Sequence, residues 1–98
     1  MSGSIYKYNV VVRSARFNKE LKKAEKRGLN PEEVEAVIDL LKRDEPLPPK
    51  YRDHLLHGGY KGHRECHINP DWLLIYRKDR GELTLYLVRT GTHSDLFR

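Results

Sequence analysis

YKGHRECHINPDWLLIYRKDRGELTLYLV, residues 60–88, is the stretch that decides how this chain folds. Along 60–68, Tyr60, Gly62, Cys66 and Ile68 take one side. Lys61, His63, Glu65 and His67 take the other, and only Arg64 is out of step. A period of two is that of a strand with two unlike faces. Asn69, Pro70 and Asp71 make a turn, 72–76 (WLLIY) a strand, 78–81 (KDRG) a hairpin turn and 83–88 (LTLYLV) a further strand. Strands joined by turns this short form an antiparallel meander.

Upstream of the meander the period changes. Residues 5–12 (IYKYNVVV) are β-branched and aromatic, which predicts a strand. Ser14 then caps a helix in which Phe17, Leu21 and Ala24 recur at helical spacing, and Gly28 stops it. The other faces of this helix carry Arg16, Lys19, Lys22, Lys23, Lys26 and Arg27 against Glu20 and Glu25. A second helix opens with Asn30 as N-cap, Pro31 at its first position and Glu33 completing a capping box. Val34, Val37, Ile38 and Leu41 form its apolar stripe, and EPLPP at 45–49 ends it. The short link between the helices predicts an antiparallel helix hairpin. The expected order is β-α-α-β-β-β: an α+β fold with the hairpin on one face of an antiparallel sheet and the other face free. All 98 residues are expected in one domain, with 1–4 a loose end or an expression-derived tail.

Lys and Arg number 19 against 14 Asp and Glu, a net charge of +5 that favours a polyanionic partner such as nucleic acid. A single cysteine excludes an internal disulfide and fits a reducing cytoplasm. No apolar run approaches the roughly 20 residues of a membrane span, so no membrane contact is expected.

The five histidines lie at 54, 57, 63, 67 and 93, all outside the two helices. His63, Cys66 and His67 suggest a metal site, but on a strand Cys66 points away from the two imidazoles, and no metal or cofactor is expected. Imidazole titrates near neutrality and serves as either acid or base. A basic protein with a histidine-rich sheet face suits metal-independent RNA cleavage. That reaction needs a base for the 2′-OH, an acid for the departing 5′-oxygen, cations for the charged transition state and an aromatic to hold the base. His93, Arg89 and Phe97, all within nine residues of RTGTHSDLFR, supply three of these needs. Each residue also has a plainer reading. Phe97 plugs the end of the core, Trp72 packs rather than stacks, and Asp71 merely forms the turn. Arg89 shares strand parity with Leu83, Leu85 and Leu87, so only a bulge or an exposed strand end frees it.

The segments 51–77 (YRDHLLHGGYKGHRECHINPDWLLIYR) and 87–97 (LVRTGTHSDLF) together carry a DHxL loop, a (Y/W)KG(H/Y)R step, an HxxPDW turn and a terminal RTGTHxxLF. In this combination and spacing the chain resembles the YafQ-type toxins of the RelE superfamily, from bacterial toxin–antitoxin pairs. The resemblance implies a RelE-like fold and an endoribonuclease that cleaves mRNA in the A site of the 70S ribosome. It also implies a ribbon-helix-helix antitoxin of the DinJ type, with promoter DNA bound only through the toxin–antitoxin complex. The family's active-site positions fall on His54, His67, Asp71, Arg89 and His93, with Trp72 and Phe97 on the substrate and His63 a neighbour. His93 would transfer a proton with His67 and Asp71, Arg89 would neutralise phosphate, and His54 would complete the site. The first helix, with Lys61 and Arg64, would dock on 16S ribosomal RNA. The competing readings are a non-catalytic RNA-binding module and an antitoxin-binding co-repressor. The nuclease reading requires His67 and His93 on one side of the molecule and Arg89 open to solvent.

Overall fold

The computed structural model describes residues 5–97; residues 1–4, expected to be a loose tail, lie outside them. Strand β1 (Val10–Arg13) is followed by helices α1 (Ala15–Lys26) and α2 (Pro31–Arg43) and the two-residue strand β2 (His54–Leu55). The meander β3 (Arg64–Asn69), β4 (Trp72–Asp79) and β5 (Thr84–Gly91) comes next, and a short helix, α3 (His93–Phe97), ends the chain. The sheet order is β1-β5-β4-β3-β2. The meander is antiparallel as expected, but β1 runs parallel to β5, so the sheet is mixed rather than antiparallel throughout.

The first strand is shorter than its composition predicts. The backbone N–H groups of Lys7 and Tyr8 both donate to the carbonyl of Lys42, each at 2.9 Å, at the end of α2. Tyr8 is fully buried in the core and the Tyr6 hydroxyl donates to Asp39 at 2.6 Å. This segment clasps a helix C-terminus, whose carbonyls need partners, and joins the sheet only at Val10.

Both helices start where their caps predict. The Ser14 hydroxyl accepts from the Phe17 amide at 2.9 Å and donates to the Val88 carbonyl at 2.9 Å, tying α1 to β5. Gly28 takes φ +112°, which only glycine adopts without strain. The Asn30 side chain accepts from the Glu32 amide at 2.9 Å. Glu33 does not close the expected capping box; its carboxylate accepts from the Asn69 side chain at 2.9 Å and so grips the β3–β4 turn. Asp44, in the left-handed conformation beyond α2 (φ 60°), receives Lys78 at 2.6 Å, Arg80 at 3.2 Å and Lys7 at 3.3 Å.

One core lies between the helices and the sheet. Phe17, Val34, Val37 and Leu41 meet Cys66, Leu74, Tyr76, Leu85 and Leu87 there, none more than 1% exposed. The opposite face, expected to be free, is partly covered. Leu73, Ile75 and Leu96 form a second, smaller cluster, flanked by Leu56, Tyr60 and Val88. The cover is α3, which ordinary capping chemistry builds out of the terminal residues. The Thr92 amide donates to Asp95 at 3.0 Å and the Asp95 amide to the Thr92 hydroxyl at 3.2 Å. A Cβ on Gly91 would lie 3.0 Å from that of Asp95, so any larger residue there would push α3 back by a few tenths of an ångström.

Candidate active site

The β3–β4 turn and α3 meet over a cleft of about 500 Å³ lined by His67, Asp71, Trp72 and His93, with Arg27 at the edge. Asn69 holds one wall. Its side-chain oxygen accepts from the amides of Asp71 at 2.9 Å and Trp72 at 3.1 Å, while its amide group is anchored to Glu33. An Asx turn braced from α2 therefore fixes where Asp71 stands. His67 comes from β3, on the face opposite Cys66, and His93 is the exposed first residue of α3. The two imidazoles that had to share a side of the molecule do share it.

Arg89 does not meet its requirement. Between Ile75 and Tyr76 the β4–β5 register shifts, with Tyr76 opposite Leu87 but Ile75 opposite Arg89. The extra residue, Val88, reverses the parity that would have sent Arg89 into the main core. The bulge does not open Arg89 to solvent, however; the residue is only 8% exposed. Its guanidinium grips the Glu20 carboxylate at 2.6 and 3.2 Å and donates to the Tyr60 hydroxyl at 3.2 Å. The hydrogen bond it donates to Glu20 holds it even more firmly protonated than a free arginine. The expectation of a solvent-open phosphate clamp at Arg89 is thus corrected: its charge is already matched inside the protein.

The remaining expected residues scatter around the cleft. Phe97 is 38% exposed and does not plug the core; its ring lies 5.1 Å from His93 and 6.2 Å from Tyr60. Trp72 is 8% exposed and belongs to the main core, yet it backs the cleft. His54 sits on β2 opposite Glu65, outside the cleft lining, with Nδ1 2.7 Å from the Arg52 carbonyl and Nε2 3.4 Å from Glu65. Lys61 is exposed beside Tyr60, and His63 sets its ring edge against Tyr60 at 5.9 Å. Arg64 is turned to the helix side, where Asp53 binds it at 3.0 Å and also accepts from the Tyr76 hydroxyl. The structure does not bring Arg64 to the cleft. Cys66 is fully buried on that side, and burial pushes its thiol well up. Among the described residues no group of three or more His, Cys, Asp or Glu is arranged to hold a metal ion.

Sequence reasoning missed three participants. Arg27 ends α1 with its guanidinium 4.9 Å above the Trp72 ring and 3.2 Å from Asp95; it was legible only as one cation among six. Tyr60 and Glu20 had no local signal, because each acts through Arg89, 29 and 69 residues away. The Thr92–Asp95 spacing, by contrast, is a readable capping box.

Residues 9–98 match the family model described as "Bacterial toxin of type II toxin-antitoxin system, YafQ". The chain is 40% identical to the mRNA interferase toxin YafQ of Escherichia coli K12 over 85 residues, covering 86% of this chain and 90% of that protein. A metal-bound toxin from Helicobacter pylori superposes with a TM-score of 0.84 at 45% identity, over 90% of this chain and 98% of the other. YafQ in the E. coli DinJ–YafQ toxin–antitoxin complex gives 0.82 at 37% identity, over 93% and 99%. With the sheet, the helix pair and nearly the whole length shared, this chain belongs to the YafQ family of bacterial type II toxins.

Proposed function

We propose that this protein is an mRNA interferase that cleaves message in the ribosomal A site by metal-independent acid–base chemistry. The observation that carries the reading is the convergence of His67 from β3, Asp71 from the β3–β4 turn and His93 from α3 on one cleft. One imidazole takes the proton of the 2′-OH. The 2′-oxygen attacks phosphorus and a P–O2′ bond forms. The P–O5′ bond then breaks, and the second imidazole protonates the departing oxygen, leaving a 2′,3′-cyclic phosphate. Asp71 supports the imidazole that becomes cationic. Phe97, beside His93, offers an exposed ring on which a splayed base can stack. Trp72 backs the cleft, and His54 at the neighbouring edge serves the incoming strand. Arg89, buried against Glu20, is not the open phosphate ligand this chemistry was expected to require; it acts from below, holding Tyr60 and the end of β5 in place, and the reading rests instead on the two imidazoles and Asp71 around the cleft.

The basic face of α1, with Lys61, would meet ribosomal RNA, so binding should weaken steeply with salt as counterions are released. A DinJ-like ribbon-helix-helix antitoxin would hold the toxin inactive in the cytoplasm, and promoter DNA would be bound only by their complex. Primer extension on translating ribosomes tests the reading. Wild type should leave a cut in the A-site codon that chelators do not abolish, and His93→Ala should leave none. Cutting by His93→Ala at the wild-type rate would refute the chemistry and favour a non-catalytic, antitoxin-binding role.

A further inference from the structure

With Arg89 neutralised by Glu20, the cleft needs another cation if it is to hold a phosphate. Among the described residues Arg27 is the only arginine or lysine that lines it. Arg27 also lines a smaller hollow of about 210 Å³ between α1 and the end of β5, and the two hollows share Arg27 and Trp72 as a common wall. The Cζ of that guanidinium lies over the Trp72 ring, 4.9 Å from its centroid, and Trp72 is itself anchored in the main core. Stacking on a buried aromatic fixes the plane of the fork while its N–H edges stay available. One edge meets Asp95 at 3.2 Å in an ion pair whose side chains are 45% and 37% exposed. Such a pair is weak enough to exchange for a better anion. Asp95 can release the guanidinium without losing its own role, because the Thr92 amide still caps onto it at 3.0 Å.

We infer that Arg27 is the residue that grips the scissile phosphate, swapping Asp95 for the non-bridging oxygens when RNA enters. This rests on the nuclease reading and supplies the cation that reading lacked. A planar fork held against Trp72 presents two parallel donors to two phosphate oxygens. It also adds no new buried charge to the empty cleft, since Asp95 balances it until substrate arrives.

The test is single-turnover cleavage of ribosome-bound message by wild type, Arg27→Gln, Arg27→Lys, Asp95→Asn and His93→Ala, each across a salt series. Arg27→Gln should lose roughly 100-fold in kcat/KM, the scale of removing one donor from a charged transition state. Its salt dependence should also be shallower by about 0.7 in log–log slope, as for one lost contact to a single-stranded phosphate. Arg27→Lys should recover part of the rate, keeping the charge but not the fork. Asp95→Asn breaks the same ion pair yet frees Arg27, so its KM should fall. If Asp95→Asn loses as much as Arg27→Gln, or the salt slope of Arg27→Gln is unchanged, Arg27 merely fastens α3 and the inference fails. Full activity in Arg27→Gln beside an inactive His93→Ala overturns this inference alone. Activity in His93→Ala overturns the nuclease reading with it.

Discussion

The two faces of the sheet are built on different terms. On the helix face, Phe17, Leu41, Leu74, Leu85 and Leu87 interlock at 1% exposure or less, and the charged groups at the rim are paired. On the other face, Leu73 and Ile75 carry a five-residue helix through its Leu96, and the groups above them are a half-buried and an exposed imidazole, a carboxylate and a half-open phenyl ring. The lesson concerns where a small domain can place reactive groups. Close packing leaves neither room nor solvent for a substrate, whereas a thin apolar layer can position side chains without enclosing them. Arg89 marks the border between the two regimes. The bulge gives it to the site face, yet its ion pair with Glu20 serves stability.

Equivalent truncations on the two faces should therefore differ in size. Leu74→Ala, deep in the main core, should cost about 4 kcal/mol, the upper part of the Leu→Ala range, because the site is walled by both helices and cannot collapse. Leu96→Ala should cost about 2 kcal/mol, since α3 can settle onto Leu73 and Ile75. Chemical denaturation of the two variants measures the difference. Equal losses would mean that the small cluster is as firmly packed as the large one. Glu20→Ala should fall between them, at about 3 kcal/mol, because it strands a guanidinium whose side chain is 10% exposed. If it is as stable as wild type, Arg89 is free for phosphate after all.

Electrostatics should sharpen the same contrast, and Asp44 is the place to look. Its partial burial alone would raise the carboxyl, but the Lys78 hydrogen bond and charge, with Lys7 and Arg80, outweigh that and lower it from 3.8 to about 2. A carboxyl depressed in the folded state contributes stability that is complete above its unfolded value and disappears as pH falls through its folded one. Roughly 2 kcal/mol should therefore be lost between about pH 5 and pH 1, and Asp44→Asn should already lack it at neutral pH. Thermal melts of the two proteins across that window should converge at the acid end. Parallel curves would remove Asp44 from the stabilising network.

Much of this architecture could be read in the sequence because its causes are local. Ser14 and Asn30 cap helices through neighbouring amides, the stripes of α1 and α2 repeat within a turn, and the Asn69–Asp71 turn needs no distant help. What escaped reading depends on partners far along the chain. The strand expected at 5–12 loses its first half to α2 because Tyr8 finds the core and the Lys42 carbonyl lacks a donor. Glu33 prefers Asn69, 36 residues on, to its own helix end. The parity of Arg89 was right until Val88 bulged, and a bulge has no fixed composition. Leu83, assigned to the last strand, instead turns at φ 51° before β5 begins. The cleft was legible mainly through the resemblance, whose HxxPDW turn marks His67 and Asp71, while the chemistry of RTGTHSDLFR points by itself to His93. Its cation was not, because Arg27 differs from five other basic residues of α1 only in lying over Trp72.

The smallest structural effect should accompany the largest functional one. His93 is exposed, its ring touches only Phe97 among the aromatic rings of the described residues, and it follows the cap rather than forming it. His93→Ala should accordingly change folding stability by no more than about 0.5 kcal/mol, as for surface substitutions generally, and Ala at the start of α3 is if anything the better helix former. Cleavage on ribosomes should nevertheless vanish. An imidazole that transfers a proton has no substitute at that position once its ring is gone, whereas the thin layer beneath it does not depend on that ring. Should His93→Ala instead unfold the protein while any folded fraction still cut message, the roles would be reversed. The exposed face would then be structural, and the division of labour between the two faces would have to be abandoned.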